Sequence, residues 1–147
     1  MKKTRDLFQN KLTRAWIFLV SALAIHVFDE AITDFLPFYN FLVPNLKNRL
    51  GFFPMPTFTY EIWLTGLIVA IITGYALIPI VNRGRKLIRI IVLVIGFIMV
   101  ANSLGHMIGS LYFGKLLPGF WSSPILLAAA IYTIVQAFKA PLLLPKE

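Results

Sequence analysis

A cluster of ionisable side chains stands inside an apolar stretch near the N-terminus. His26, Asp29 and Glu30 follow a run of apolar residues that starts near Ala15. Because an α-helix turns about 100° per residue, His26 and Glu30 lie only about 40° apart on one face, and Asp29 flanks that face. An ionisable group near the middle of a membrane costs roughly 2.5–3.5 kcal/mol, so this concentration of such groups indicates a functional site.

The composition indicates a membrane protein. Hydrophobic residues make up 59% of the 147 residues and charged residues only 14%, whereas about a quarter of the residues of soluble proteins are charged. The net charge of +8 comes from basic residues that flank apolar runs, which favours a membrane and argues against nucleic acid as a partner.

Cysteine is absent, which excludes disulfides and thiolate metal sites. We expect no cleavable signal peptide, because the first apolar run lacks a small-residue cleavage site.

Four apolar runs have roughly the 20 residues that a helix needs to cross a membrane. They cover about 15–32, 58–81, 87–113 and 120–138. We therefore predict an all-α membrane protein, with residues 1–147 forming a single four-transmembrane-helix bundle. Membrane lipids are then its immediate partners.

The basic residues predict the orientation of this bundle. Eleven of the 14 lie near the termini or in the short turn between the second and third runs. Only Lys47, Arg49 and Lys115 fall on the opposite side. Since lysine and arginine accumulate in cytoplasmic loops, both termini are predicted to be cytoplasmic, in a bacterial plasma membrane. The eleven residues are Lys2, Lys3, Arg5, Lys11, Arg14, Arg83, Arg85, Lys86, Arg89, Lys139 and Lys146.

The connection between the first two runs, about residues 33–57, is rich in aromatic residues and proline. Pro37, Pro44, Pro54 and Pro56 are expected to break any long helix there. The segment is too apolar for a solvated loop. We predict a long outer loop that packs on the rim of the bundle, either as a lid or as an aromatic anchor.

Depth along each helix places distant polar residues at common levels. At about 1.5 Å per residue, His26 and Glu30 lie about 17 and 22 Å from the cytoplasmic start of the first run. In the third run, Asn102 and His106 lie about 18 and 24 Å from that side. Glu61 lies about 6 Å inside the outer end of the second run, which is a matching level in a core of about 30 Å. We therefore predict that these residues line one pocket in the outer half of the bundle.

Two histidines grouped with carboxylates favour a membrane-embedded metal-dependent enzyme that acts on a lipophilic substrate. Nitrogen and oxygen ligands suit zinc, or iron and manganese where carboxylates are numerous. A divalent metal would also compensate the charge of the acids. The predicted metal ligands are His26, Glu30, Glu61 and His106. The predicted catalytic residues are Asp29, Glu30 and Asn102, with Asp29 or Asn102 as a base or as support for a ligand.

Three other interpretations stay open. A metal-free acid/base isomerase, or a lipid-binding protein, could use the same pocket for a lipophilic small molecule such as a sterol, an isoprenoid or an acyl chain. Transport of a proton or a small cation is a further alternative, although four helices are few for a transporter unless the chain forms a homo-oligomer. Finally, the acids could make purely structural hydrogen bonds to the histidines and the asparagine.

The polar residues of the apolar runs also form a recognisable set along nearly the whole chain. The set comprises His26-Val-Phe-Asp29-Glu30, Glu61, Asn102, His106, Tyr112 and Pro118-Gly119. It resembles the HXXEE family of small integral membrane proteins. The resemblance implies an integral membrane protein with a polar intramembrane site, and it implies no particular reaction. Asp29 departs from the family motif, whose name implies glutamate, and its shorter side chain withdraws the carboxylate by about one methylene.

Overall fold

A computed structural model describes residues 10–140, and all regular secondary structure in that part of the chain is helical. Four basic residues that support the predicted orientation, Lys2, Lys3, Arg5 and Lys146, lie outside the described residues. The helices are α1 (Lys11–Ile32), α2 (Phe35–Leu50), α3 (Tyr60–Ala76), α4 (Ile78–Asn82), α5 (Lys86–Phe113) and α6 (Ser123–Lys139).

Three helical segments of the described chain are long and apolar enough to cross a membrane. They are Lys11–Ile32, Tyr60–Asn82 and Lys86–Phe113, which match the first three predicted runs. Tyr60–Asn82 comprises α3 and α4 in succession. The fourth predicted run corresponds to α6, a shorter apolar helix of 17 residues. The all-helical membrane class therefore agrees with the structure for three spans, and the fourth span stays a prediction.

Helix α1 lies at the centre of the fold, between α6 on one side and α3 with α4 on the other. Towards α6, the Thr133 hydroxyl donates to the carbonyl of Ala15 at 3.0 Å. Towards α3, the Trp16 indole N–H donates to the carbonyl of Gly74 at 2.8 Å. A Cβ atom at Gly74 would lie 2.9 Å from a methyl group of Val20, so only glycine allows the two helices this close approach. These contacts fix the rotation of α1 about its axis.

The hydrophobic core follows α1 along its length. Large side chains of α1 pack against small residues of α6. Because the α6 residues are small, the two helices approach closely, and this buries the apolar faces of both. The buried members are Leu12, Trp16, Leu19, Val20, Ala22, Val81, Val92, Leu126, Ala129, Ala130 and Ala137.

A polar network holds the end of the bundle where α1 begins. The Asn10 side chain caps α1 by accepting from the N–H of Leu12 at 3.0 Å. The same side chain donates to Oδ1 of Asn82 at 3.2 Å, and the Thr13 hydroxyl donates to that oxygen at 3.2 Å. The start of α1 is thus tied to the end of α4, far from the ionisable cluster.

The prediction of an outer loop is wrong for residues 35–50, which form α2. Pro37 lies in the first turn, where the N–H that proline lacks would have no partner within the helix. Pro44 lies inside α2, and a 16-residue helix on the rim tolerates the loss of that one hydrogen bond. Asp34, which separates α1 from α2, has a left-handed backbone conformation with φ 57°, and this interrupts the helix without glycine.

Helix α2 is attached to the extended segment that leads into α3. The Asn40 side chain makes two hydrogen bonds to the backbone of Phe58, donating to its carbonyl at 2.8 Å and accepting from its N–H at 3.1 Å. The Tyr39 hydroxyl donates to the carbonyl of Pro56 at 2.9 Å. Partial burial raises the pKa of Tyr39. Helix α2 and the segment before α3 are therefore held together as one unit.

Candidate metal centre

Three side chains from two distant parts of the sequence meet inside the bundle. Nε2 of His26 lies 3.4 Å from Oε1 of Glu30, one helical turn further along α1. Nε2 of His106, on α5, lies 3.0 Å from the same carboxylate oxygen. The exposed fractions of His26, Glu30 and His106 are only 1%, 4% and 7%. These three residues are called the His/Glu cluster below.

The hydrogen bond on the far side of the His106 ring determines its tautomer. Nδ1 of His106 lies 2.6 Å from the carbonyl oxygen of Pro118. A carbonyl can only accept, so Nδ1 must carry the hydrogen. In the neutral imidazole the lone pair is then on Nε2, the atom that faces Glu30.

The His26 ring is held in the same tautomer by a serine and an aspartate. Nδ1 of His26 lies 2.8 Å from the hydroxyl oxygen of Ser122. That hydroxyl donates its single hydrogen to Oδ2 of Asp29 at 2.7 Å. The serine oxygen can therefore only accept from His26, so Nδ1 carries the hydrogen and Nε2 of the neutral ring carries the lone pair.

Asp29 has a second partner at the start of α6. Its Oδ2 also accepts from the backbone N–H of Ser122 at 3.0 Å. Free N–H groups and the helix dipole make the start of a helix favourable for a carboxylate. Asp29 thus attaches α1 to α6 and orients the serine that holds His26.

Gly119 brings the turn before α6 into contact with both imidazole rings. Its φ is +80°, a conformation that L side chains rarely adopt. A Cβ atom at this position would lie 2.9 Å from Cε1 and Nδ1 of His106 and 3.0 Å from Cε1 of His26. Glycine is needed here both for the backbone conformation and for the space that the rings occupy.

The geometry of the His/Glu cluster is close to that of a metal site. The three ligand atoms lie within 4.8 Å of one another. Ligands about 2.1 Å from a tetrahedral zinc ion are separated by about 3.4 Å, and the two measured N···O distances are 3.4 and 3.0 Å. Three protein ligands leave one position of a tetrahedral ion open, as in catalytic zinc sites. The cluster could therefore hold a metal ion with small side-chain movements.

Aromatic rings cover one side of the cluster. The two imidazole rings contact each other edge to face, with centroids 4.8 Å apart. The ring of Phe35, at the start of α2, lies 5.2 Å from the His106 ring and 6.0 Å from the Trp63 ring of α3. Phe35 thus connects α3 and α5 through its ring contacts beside the cluster.

Comparison with known protein families identifies the chain at the level of sequence. The family model described as a protein of unknown function with HXXEE motif matches residues 16–133. The chain belongs to the HXXEE family. The resemblance seen in the sequence is thereby confirmed, and the match includes every residue of the His/Glu cluster. No curated protein and no solved structure matched the chain.

The structure of this HXXEE protein gives the two acidic positions of the motif different neighbours. Glu30, the last residue of the motif, contacts both histidines. Asp29, which replaces the first glutamate, is directed to Ser122 instead. Adjacent residues on a helix point about 100° apart, so the two acids reach different helices.

The remaining predicted residues of the HXXEE protein lie outside the cluster. Glu61 is exposed in the first turn of α3, beside the Thr59 hydroxyl, and is not part of the group that could hold a metal. Asn102 lies one turn before His106 on α5 and is half-buried. Its Oδ1 atom is buried and has no hydrogen-bond partner among residues 10–140. The structure therefore brings together His26, Glu30 and His106, and it does not bring Glu61 to them.

Sequence reasoning missed Ser122 and the ring contact of Phe35. A serine beside an interfacial turn carries no signal of its own, and Phe35 is one of 13 phenylalanines. The Pro118-Gly119 turn gave a usable signal, because it precedes α6 and lies at the same depth in the bundle as His106. A polar residue close to that turn could have been paired with Asp29 on the basis of depth.

Proposed function

We propose that this HXXEE protein is a membrane-embedded metal-dependent enzyme that acts on a lipophilic substrate. His26, Glu30 and His106 would hold one divalent cation. The observation that supports this most directly is the direction of the two imidazole rings. Both Nδ1 atoms donate to fixed oxygen acceptors, at 2.8 and 2.6 Å, and both Nε2 lone pairs face one carboxylate oxygen. Histidines that bind metals are typically oriented in this way by a carbonyl or carboxylate behind the ring.

The charge of the site supports a divalent ion. Asp29 and Glu30 carry two negative charges when ionised, and within residues 10–140 the only ion-pair contacts of Glu30 are with the two histidines. Lysine and arginine on α1 and α5 lie near the opposite end, in the first turns of those helices. An uncompensated carboxylate in a membrane interior is costly. A divalent cation would neutralise both acids without protonating either histidine.

The ligand set suggests the metal and its chemistry. Two imidazole nitrogens with one carboxylate oxygen suit zinc, and also iron or manganese. A bound metal with an open position would supply Lewis-acid activation of a substrate oxygen or of water. Glu30 would bind the ion, while Asp29 would act through Ser122 to orient His26. The aromatic cover would limit competing reactions with bulk water.

Metal content is the direct test. The protein purified in detergent should contain about one transition metal per chain, and the metal-stripped protein should take up one equivalent of zinc. His26→Ala, Glu30→Gln and His106→Ala should each abolish that uptake while the variants still insert into membranes. Glu61→Gln is the matched control for Glu30→Gln and should bind zinc normally. An unmodified protein that neither contains nor takes up a metal would overturn the proposal.

A second candidate is metal-free acid/base catalysis on a lipophilic molecule, or binding without turnover. It is favoured by the 3.0 Å contact between His106 Nε2 and Glu30 Oε1, a distance at which the pair can share a proton. The two candidates differ in their response to chelation. Turnover or ligand binding that survives complete removal of metal would favour the metal-free alternative.

We also propose that α6 is a fourth transmembrane helix and that both termini are cytoplasmic. The 17 residues of α6 span about 26 Å, near the lower limit for crossing the hydrocarbon core. The bias of basic residues supports the orientation. The His/Glu cluster would then lie in the outer half of the membrane.

A further inference from the structure

We propose that the substrate is a neutral lipophilic alcohol, which reaches the cluster sideways from the membrane between α3 and α5 and binds Asn102 through its hydroxyl group. This inference rests on the proposed function, because it assigns a substrate class and a route to the same site. Three independent observations support it: the packing of the helices, the state of Asn102 and the position of Phe35.

Two of the helices near the cluster are not closely packed against each other. α3 packs against α1 and α4, and α5 packs chiefly against α6, but α3 and α5 are not packed against each other along their length. On α1, Trp16 contacts α3 and Ala15 contacts α6. Viewed along the axis of α1, Glu30 lies between these two residues, about 40° from Trp16 and about 60° from Ala15. Glu30 therefore faces the sector between α3 and the α5–α6 pair. We call this sector the α3–α5 cleft.

Asn102 lies at the level where a molecule in this cleft would approach the cluster. It precedes His106 by four residues, which is about 6 Å along α5. Its Oδ1 is buried and has no hydrogen-bond partner among residues 10–140. A buried polar atom without a partner is costly, and such atoms are rare enough to require an explanation. A hydroxyl group satisfies an amide in either orientation, because it both donates and accepts.

The charges around the cleft favour a neutral head group. Helix α3 contains no basic residue, and the basic residues of α5, Lys86 and Arg89, are in its first turn at the far end. On these two helices a phosphate or carboxylate would therefore find no cation near Asn102. The two acids of the site are already directed to the histidines and to Ser122. An alcohol with an apolar body matches both the amide and the apolar helices.

Phe35 determines the direction of access. Its ring contacts both Trp63 of α3 and His106 of α5, so it would block the cleft on the side where α2 begins. A substrate would then enter the cleft on the other side of this ring, at the level of Asn102, from the lipid that would surround α3 and α5. The substrate would therefore arrive dissolved in the membrane and with its hydroxyl group leading.

Photolabelling can test this inference. The probes are a long-chain primary alcohol with a diazirine in its chain and the matching hydrocarbon that lacks only the hydroxyl group. In liposomes the alcohol should label α3 and α5 at lower concentration than the hydrocarbon does. Asn102→Leu should raise the alcohol concentration needed for half-maximal labelling by about two- to tenfold, the value of one net hydrogen bond, and should leave hydrocarbon labelling unchanged. Asn45→Leu, the same substitution at an exposed position of α2, should have no effect.

The result is separable from the metal proposal. Equal labelling by the two probes, or an Asn102→Leu variant that keeps the normal thermal stability and labels like the unmodified protein, overturns this inference. Zinc uptake without hydroxyl-dependent labelling overturns the inference alone. Hydroxyl-dependent labelling in a chain that takes up no zinc supports the cleft and overturns the metal proposal. Asn102→Asp, which keeps an acceptor, should retain hydroxyl-dependent labelling if the hydrogen bond rather than the shape of the side chain matters.

Discussion

The serine behind His26 offers the sharpest test of the candidate metal centre. Ser122→Ala removes the hydroxyl that accepts from Nδ1 of His26 at 2.8 Å and donates to Asp29 at 2.7 Å. The ligand atoms themselves are untouched. The backbone N–H of Ser122 still donates to Asp29 at 3.0 Å, so the contact between α1 and α6 persists. The substitution therefore separates the orientation of a ligand from its presence.

The size of the effect follows from the bonds that are lost. Loss of a hydrogen-bonding group behind a metal ligand typically lowers metal affinity 10- to 100-fold, or about 1.4–2.8 kcal/mol. A buried Nδ1–H without a partner also destabilises the fold by about 1–3 kcal/mol. We therefore expect zinc to bind Ser122→Ala at the same stoichiometry as the unmodified protein and with at least tenfold weaker affinity.

Competition with a chromophoric chelator in detergent micelles measures this affinity. Ser21→Ala is the matched control, since it removes a hydroxyl on α1 that contacts the Tyr75 hydroxyl at 2.9 Å, outside the cluster. The control should bind zinc like the unmodified protein. If Ser122→Ala bound zinc with unchanged affinity while His26→Ala bound none, Ser122 would not orient the ligand and the reasoning would be refuted.

Three further predictions follow from the same structure. Glu61→Gln should change zinc affinity less than twofold, because this side chain is exposed and outside the cluster. A tenfold loss of affinity in the same titration would show that Glu61 does contribute to the metal site. Gly119→Ala should lower the free energy of unfolding by about 2 kcal/mol or more, because its Cβ would meet both imidazole rings and its φ is +80°; unchanged thermal unfolding would contradict this. A tag after Glu147 should be inaccessible to antibody in intact cells, and labelling from outside would refute the predicted orientation.

The membrane helices and part of the site could be predicted from the sequence because simple geometry determines them. Long apolar runs fix the existence of α1, α3 and α5, although their ends differ by a few residues. The spacing of His26 and Glu30 fixes their common face, since both lie on one helix. His106 could be placed because its depth along α5 matches that of Glu30, and the structure puts their side chains in contact.

The misplaced residue shows the limit of depth as a guide. Depth alone predicts that Glu61 joins the pocket, because its level in the membrane is similar to that of Glu30. Depth gives the position along a helix axis, whereas the direction of a side chain depends on the rotation of that helix. The contacts of Trp16 and Val20 with Gly74 set the face that α3 turns to α1, and Glu61 is not on it. Tertiary packing of this kind has no signature in a single sequence.

The helix at residues 35–50 was missed for a local reason. Its prolines predict breaks in a helix, although Pro37 lies in the first turn and Pro44 removes only a single hydrogen bond. Asn40 and Tyr39 attach α2 to the extended segment through the backbone of Phe58 and Pro56. Those contacts join residues about 17 or 18 positions apart, and they stabilise a helix that its own sequence does not favour.

The division of labour between Asp29 and Glu30 has a consequence for how the motif is transplanted. A peptide that carries α1 alone would present a histidine and two acids but no site. The partner of Glu30 is His106 of α5, and the partner of Asp29 is Ser122, which directly precedes α6. The smallest unit that could be grafted onto another scaffold comprises the parts of α1, α5 and α6 that surround the cluster, together with the Pro118-Gly119 turn. By the same reasoning, the motif in an unrelated sequence indicates this kind of site only where two further helices complete it. One of them must bring a second histidine to the glutamate, and the other must bring a hydroxyl group to Nδ1 of the first histidine.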